Sequence, residues 1–156
     1  MGEKMNTIEL KLPLFTLRIG VFIVMFIWTL DKFVRPEHTS AVFQKFYLMP
    51  ELSTSVSYLI GVIQGLIVLA FIAGFKKRLS YGAIFILHAV STLSSYSQYL
   101  HPWDGGNILF FAAWPMLAAL FALYRLRNYD TLLSIDFRMK GPDSRAPIQQ
   151  ETQSND

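Results

Sequence analysis

Four stretches of this chain run apolar without the regular polar interruptions of a half-buried helix or strand. They are Leu12–Leu30, Val56–Phe75, Leu79–Leu100 and Ile108–Tyr124; together they make half of the 156 residues and hold one formal charge, Arg18. A hydrocarbon core of about 30 Å needs ~20 helical residues. The middle two stretches meet that length directly. The first has an uninterrupted core, Ile19–Leu30, that is too short alone, so it extends back through Arg18 to about Leu12. The fourth is completed by Asn107 or Arg125 reaching for the interface. None of the four alternates with period two, which disfavours the closed barrel, the other way to cross a bilayer. The pattern predicts an all-α membrane protein, a four-transmembrane-helix bundle spanning residues 12–125. The first span exits through Trp28-Thr29-Leu30-Asp31-Lys32 without a small-residue cleavage site, so it is expected to stay as an anchor.

The segments between the spans are short. In Thr39–Leu52, Val42, Phe43, Phe46, Tyr47 and Met49 recur at helical spacing. Thr39 or Ser40 is a candidate N-cap. This predicts a short amphipathic outer segment between spans one and two, lying on the membrane or capping the bundle. The loop His101-Pro102-Trp103-Asp104-Gly105-Gly106-Asn107 is dense in turn formers. Residues 1–11 form an N-terminal segment. Residues 126–156 read as a tail, polar and disordered from about residue 141.

Charge sets the orientation. Lys4, Lys11, Lys76, Lys77, Arg78, Arg125, Arg127, Arg138, Lys140 and Arg145 fall on one side, ten basic residues against Lys32, Arg35 and Lys45 on the other. By the positive-inside rule both termini are cytoplasmic. Trp28, Tyr99 and Trp103 then sit at the outer interface. Only 16% of the residues are charged, against ~25% in soluble domains, and the net charge of +3 comes from residues flanking the spans. Nucleic acid is therefore not an expected partner; the lipid bilayer is. The absence of cysteine excludes thiolate catalysis, disulfides, iron–sulfur ligation and thiolate zinc sites within this chain.

Without a hydrophobic drive in lipid, helices associate through close backbone approach and polar contacts. Gly61 with Gly65, and Ala118 with Ala122, supply small-residue pairs for that purpose. In span three Tyr81, His88, Ser91, Thr92, Ser95 and Tyr99 share one helical face, widened by Ser94 and Gln98. Phe85, Ala89 and Leu93 lie opposite. A polar stripe facing lipid is costly, so it is expected to face the bundle interior, either joining helices or lining a ligand cavity.

Counting the rise per residue brings Arg18, Gln64 and His88 to similar depth, with Ser91 or Thr92 nearby. These make the candidate ligand-binding set: Arg18, Gln64, His88 and Ser91. No carboxylate lies within a span, so Arg18 is expected to pair with a carbonyl, Gln64, a hydroxyl, water, a headgroup or an anionic ligand. A lone histidine such as His88 is more often a structural hydrogen-bond partner than a ligand or titrating group. Asp31, Lys32, His101 and Asp104 form an outer-rim cluster, readable as an acid/base site or as ordinary interfacial charges. His38, His88 and His101 lack metal- or haem-ligand spacing, so no metal is expected. Lys76-Lys77-Arg78 reads as a topology and headgroup-binding cluster.

Several short segments carry a resemblance. Leu17-Arg18-Ile19-Gly20 is followed by Asp31-Lys32-Phe33, then by Leu59-Ile60-Gly61-Val62-Ile63-Gln64-Gly65-Leu66 and Ala73-Gly74-Phe75-Lys76-Lys77-Arg78. In this order they resemble the DoxX-like family of small four-helix bacterial inner-membrane proteins, over about residues 14–125. Ser134-Ile135-Asp136 is similar to a Ser-Leu-Asp element near that family's C-terminus, without its glycines. Gln64 stands where the family commonly has Glu, and Asp31 near its usual Gly, which weakens any carried-over proton role.

The resemblance implies a multi-pass protein of the bacterial inner membrane and quinone-linked redox work. Family members include the membrane subunit of a thiosulfate:quinone oxidoreductase and proteins tied to oxidative stress and thiol systems. A chain without cysteine or a haem motif passes no electrons from a sulfur donor unaided. The expected partner is therefore a protein with its own redox cofactor, the only small-molecule cofactor being a non-covalent quinone. The alternative is a non-enzymatic assembly factor or scaffold for a redox or exported protein. A proton-linked transporter is disfavoured by the missing buried carboxylate and internal repeat.

Overall fold

The structure, a computed structural model, describes residues 7–139. The N-terminal residues before Thr7 and the expected disorder from about residue 141 lie outside the described residues. The described chain is helical, with no strand. In order it forms α1 (Thr7–Val34), α2 (Pro36–Tyr47), α3 (Thr54–Ile72), α4 (Lys77–Ser94), α5 (Tyr96–Leu100), a 3₁₀ segment (Asn107–Ala112), α6 (Ala113–Arg125) and α7 (Ile135–Met139). The four longest helices besides α2 close a ring: α1 packs on α3, α3 on α4, α4 on α6 and α6 on α1.

Three stretches are long and apolar enough to cross a membrane: Glu9–Val34, Thr54–Ile72 and Asn107–Arg125. Leu17, Ile23, Ile27, Val62, Ile63, Leu66 and Leu69 stand exposed on their outer faces, as side chains solvated by lipid do. This is a membrane protein with three such helices, where the sequence predicts four spans. The third predicted span, Leu79–Leu100, is divided. α4 stops at Ser94, Ser95 departs from helical geometry, and α5 continues for five residues. The Oγ atoms of Ser94 and Ser95 both donate to the Ser91 carbonyl, at 3.0 and 3.1 Å. Such back-bonding competes with the helical ladder and loosens a helix.

Each interior face follows helical periodicity. In α1 the buried residues are Leu14, Arg18, Val21, Met25 and Thr29, and in α3 Ser57, Gly61, Val68 and Phe71. At Gly61 an added Cβ would come within 2.7 Å of the Phe33 ring, so the small residue lets α1 and α3 approach as expected. Of the other small pair, Ala118 is exposed and Ala122 half-buried. The α4–α6 seam is aromatic instead, with Phe85 facing Phe121 and Tyr124 at 6.2 and 6.4 Å between centroids. Of the polar stripe predicted in the third span, Tyr81, His88, Thr92, Ser95 and Gln98 are buried, while Ser91, Ser94 and Tyr99 are half-buried.

The amphipathic segment begins earlier than its expected cap. Pro36 sits in the first turn of α2, where its missing N–H costs nothing. Thr39 and Ser40 are therefore inside the helix and buried. α2 lies against α1, α3 and α4 and caps that end of the bundle. At the opposite end the segment after α6 is not a loose tail. Asp130, Thr131 and Ser134 are buried, and residues 126–139 fold back beneath α3 and α4.

Candidate functional site

That returning segment builds a polar cluster around Arg18, which is fully buried. Its Nη1 donates to the Tyr81 hydroxyl at 3.2 Å and lies 3.6 Å from Oδ2 of Asp130, also fully buried. Its Nη2 donates to the Leu132 carbonyl. Tyr81 passes the contact on, its hydroxyl donating to Asp130 Oδ2 at 2.7 Å. Lys77 Nζ donates to the Asp130 backbone carbonyl at 2.9 Å. The Phe15 ring lies 5.2 Å from the guanidinium carbon. Two of the acceptors expected for Arg18, a hydroxyl and a backbone carbonyl, are present, but a carboxylate was excluded, because none lies in a span. The structure corrects this: the carboxylate arrives from outside the spans, on the chain returning after α6.

The turn between α3 and α4 shapes the same cluster. Phe75 N–H bonds the Ala70 carbonyl at 2.9 Å and Gly74 N–H the Phe71 carbonyl at 3.0 Å, the paired bonds of a Schellman ending. Gly74 holds the left-handed conformation at φ 59°, and an added Cβ would lie 2.6 Å from Arg18 Nη1 and 2.9 Å from Ser134 Oγ. Only glycine satisfies both the backbone and the space. Ser134 Oγ donates to the Gly74 carbonyl at 3.2 Å, and Ile135 N–H to the Ala73 carbonyl at 2.9 Å. The Asp136 carboxylate then accepts the backbone N–H groups of Lys76 and Lys77 at 2.7 and 2.9 Å. It supplies the cap that Lys76 cannot give α4 itself.

The expected convergence of Arg18, Gln64 and His88 is split. The Arg18 guanidinium lies against Gly74, and Gln64 is ten residues earlier on α3, about 15 Å along the helix. Gly65 instead rests near Thr29 of α1, where an added Cβ would lie 3.5 Å from the Thr29 Cγ2. The His88 ring lies 5.9 Å from the ring of Trp28. Gln64 and His88 thus share the Trp28–Thr29 level, about three turns of α1 beyond Arg18. The depth arithmetic erred at Arg18, whose long side chain reaches back to the turn at Gly74 and the Leu132 carbonyl.

His88 is 1% exposed. Its Nε2 meets the Ala113 carbonyl at 3.0 Å, while Nδ1 has no hydrogen-bond partner. Arg18 Nε and Asp130 Oδ1 are likewise buried without a partner. Ser91 is half-buried and offers its carbonyl to the two serines that follow. Thr92 Oγ1 donates to the His88 carbonyl at 2.8 Å, so Thr92 and Ser94 bond their own helix, whereas Tyr81 bonds across to Arg18 and Asp130.

The outer-rim cluster is also divided. Asp31 accepts from Arg35 Nε at 2.8 Å and meets His38 Nδ1 at 2.6 Å. His101 pairs only within its loop, 3.9 Å from Asp104, with both side chains largely exposed. Lys32 Nζ turns back to the Trp28 carbonyl at 3.0 Å. Partners one and two turns along the chain are nearer to Asp31 than the separate His101 loop. The four residues therefore do not assemble into an acid/base site. Among the described residues no three His, Asp or Glu side chains come together as a metal site would need.

Asp130, Asp136 and Trp28 were not among the candidate site residues, and Tyr81 was read only as part of a stripe. One signal pointed to the aspartates: a buried cation near the basic, cytoplasmic-type edge needs a carboxylate at that edge, and Asp130 and Asp136 follow the fourth apolar stretch closely. Comparison with family models, curated proteins and solved structures gives no match.

Proposed function

We propose that this chain is a multi-pass protein of the bacterial inner membrane with four spanning helices and both ends cytoplasmic. Support for α4 as the fourth span comes from its place in the ring between α3 and α6. Leu79, Ile86, Val90 and Leu93 stand exposed along its outer face, while its polar residues turn inward. The ten-to-three division of basic residues supports the orientation.

Its role in this reading is that of a DoxX-like membrane subunit of a quinone-linked redox system. It presents a quinone to a partner oxidoreductase that carries its own redox cofactor. A quinone travels in lipid and needs an apolar slot with a few hydrogen-bonding groups. The observation that carries the reading is His88: an imidazole in the bundle interior with one nitrogen unpartnered, beside the ring of Trp28, which is 41% exposed on the outer surface. Gln64 lies at the same level. Arg18 takes no ligand role here, because both of its terminal nitrogens are engaged, Nη1 by Tyr81 and Asp130 and Nη2 by Leu132. The segments that carry the family resemblance add support, since Arg18, Gly74 and Ser134 meet at one point.

The test is purification from native membranes, with extraction and identification of bound quinone and mass spectrometry of co-purifying proteins. Quinone bound to the wild type and lost in His88→Ala is the expected result. No bound quinone, together with unchanged quinone-linked oxidation in the variant, removes the reading.

A scaffold role is the second reading, favoured by the exposed apolar side chains Leu48, Tyr96 and Trp103, the last 82% exposed. Crosslinkers placed at Phe46 and Trp103 would then capture one dominant protein partner from membranes whose copies of the chain hold no quinone.

A further inference from the structure

The end of the bundle capped by α2 holds an open polar cleft of about 240 Å³ between that helix and the link to α3. Glu37, Ser40, Ala41 and Gln44 line it from α2, and Glu51 and Thr54 from the link. Its walls are held in place. The Met49 N–H closes α2 on the Phe43 carbonyl at 3.3 Å, and the Leu52 N–H donates to Ser40 Oγ at 2.9 Å, tying the link to the helix. Glu37, Gln44, Glu51 and Thr54 are exposed, so a ligand reaches the cleft without any part of the bundle moving.

Two features of the cleft are uncompensated. The first is charge. The lysines and arginine of this end have other partners: Arg35 bonds Asp31 at 2.8 Å, Lys32 the Trp28 carbonyl at 3.0 Å, and Lys45 lies 5.5 Å from the centre of the Phe46 ring. His38 is likewise on Asp31, and His101 is beside Asp104. Among the described residues no cation comes within ion-pair distance of Glu37 or Glu51. The second is a proton. Ser40 is 5% exposed, and its Oγ accepts both the Leu52 N–H and, at 3.4 Å, the Gln44 amide. A hydroxyl also carries one donor, and no acceptor among the described residues takes it. The carboxylates call for a cation, and the buried hydroxyl for an oxygen beside that cation. A lysine on a peptide backbone offers both, an ammonium with three donors and carbonyl acceptors. The rim suits a protein as well, since Leu48 and Met49 stand exposed on the link. We infer that this cleft docks a lysine-bearing segment of a partner protein, by charge complementarity and independently of the quinone-linked reading.

The experiment uses the full chain in phosphatidylcholine nanodiscs, whose lipid adds no net charge, with empty nanodiscs as the blank. The probes are a capped Gly-Lys-Gly-Lys-Gly peptide, the same peptide acetylated at both lysine side chains, and putrescine, which has ammonium groups but no acceptor. Binding is measured by titration calorimetry at low ionic strength. We expect the lysine peptide to bind, and the acetylated peptide and putrescine to bind about tenfold more weakly. The Glu37→Gln/Glu51→Gln double variant should cost the lysine peptide about tenfold, since one exposed ion pair is worth up to about fivefold. Ala41→Trp, which fills the cleft and keeps both charges, should abolish binding. Asp104→Asn, at the same end and 78% exposed, should leave it unchanged. Putrescine binding as tightly as the peptide overturns the assignment to a protein segment. No binding of the lysine peptide, or an equal loss in the Asp104 variant and the double glutamate variant, overturns the site. None of these outcomes bears on bound quinone.

Discussion

Arg18 of α1 and Asp130 of the returning segment are each 0% exposed and face one another at 3.6 Å, with the Tyr81 hydroxyl bonded to both. Each charge is tolerable only because the other is present. Removing one partner of such a pair leaves an uncompensated buried charge and costs about 3–5 kcal/mol, whereas replacing both by apolar groups is often neutral. We expect Asp130→Asn and Arg18→Met each to lower thermal stability of the detergent-solubilised protein markedly. The Arg18→Met/Asp130→Leu double variant should recover most of the loss. If the double variant is as unstable as the sum of the singles, the two residues do not act as a pair.

Gly74 and Gly20 make a matched contrast. An added methyl at Gly74 meets Arg18 and Ser134 in a left-handed backbone, whereas at Gly20 nothing lies within 4 Å. Gly74→Ala should destabilise by more than ~1 kcal/mol. Gly20→Ala, in a helix interior, should be neutral or stabilising by a few tenths up to about 1 kcal/mol. Chemical or thermal unfolding of the two variants side by side reads the difference directly.

Asp136 caps α4 from a distant part of the chain. Asp136→Ala removes that cap, for an expected cost of about 0.5–2 kcal/mol. The variant should also free residues 126–139 from the bundle. Limited trypsin digestion at Arg138 and Arg127 should then run faster than in the wild type, while the bundle itself remains intact. Unchanged digestion would mean that Asp130 and Ser134 hold the segment without it.

Topology is testable because the chain has no cysteine of its own. Single cysteines at positions 45 and 76 lie on opposite sides in the four-span arrangement. A membrane-impermeant thiol reagent added outside intact cells should label Lys45→Cys and spare Lys76→Cys. Labelling of both, or the reverse order, contradicts the orientation.

The apolar runs, the inward polar face of α4 and the close approach at Gly61 were all legible in the sequence, because hydropathy and helical spacing act locally. Arg18 marked itself as a residue needing an acceptor. A hydroxyl and a carbonyl were foreseen as acceptors, but the carboxylate was not legible, because Asp130 is joined to Arg18 only through the path of the returning segment, and polar sequence past the last apolar run looks like a solvated tail. His88 was placed in the interior correctly, but its neighbours Trp28 and Ala113 depend on how α1 and α6 lean together. The break at Ser95 comes from serine hydroxyls bonding their own backbone, a choice that periodicity does not register.

The ion pair also imposes an order on biosynthesis. Arg18 leaves the ribosome with the first apolar stretch, and Asp130 follows only after the fourth has been made. For most of translation the guanidinium has no carboxylate and must be tolerated by headgroups or water. The bundle can lock only when the last segment swings under it, so a ribosome that stalls before Asp130 leaves a recognisably unfinished product, with its cation still unclaimed.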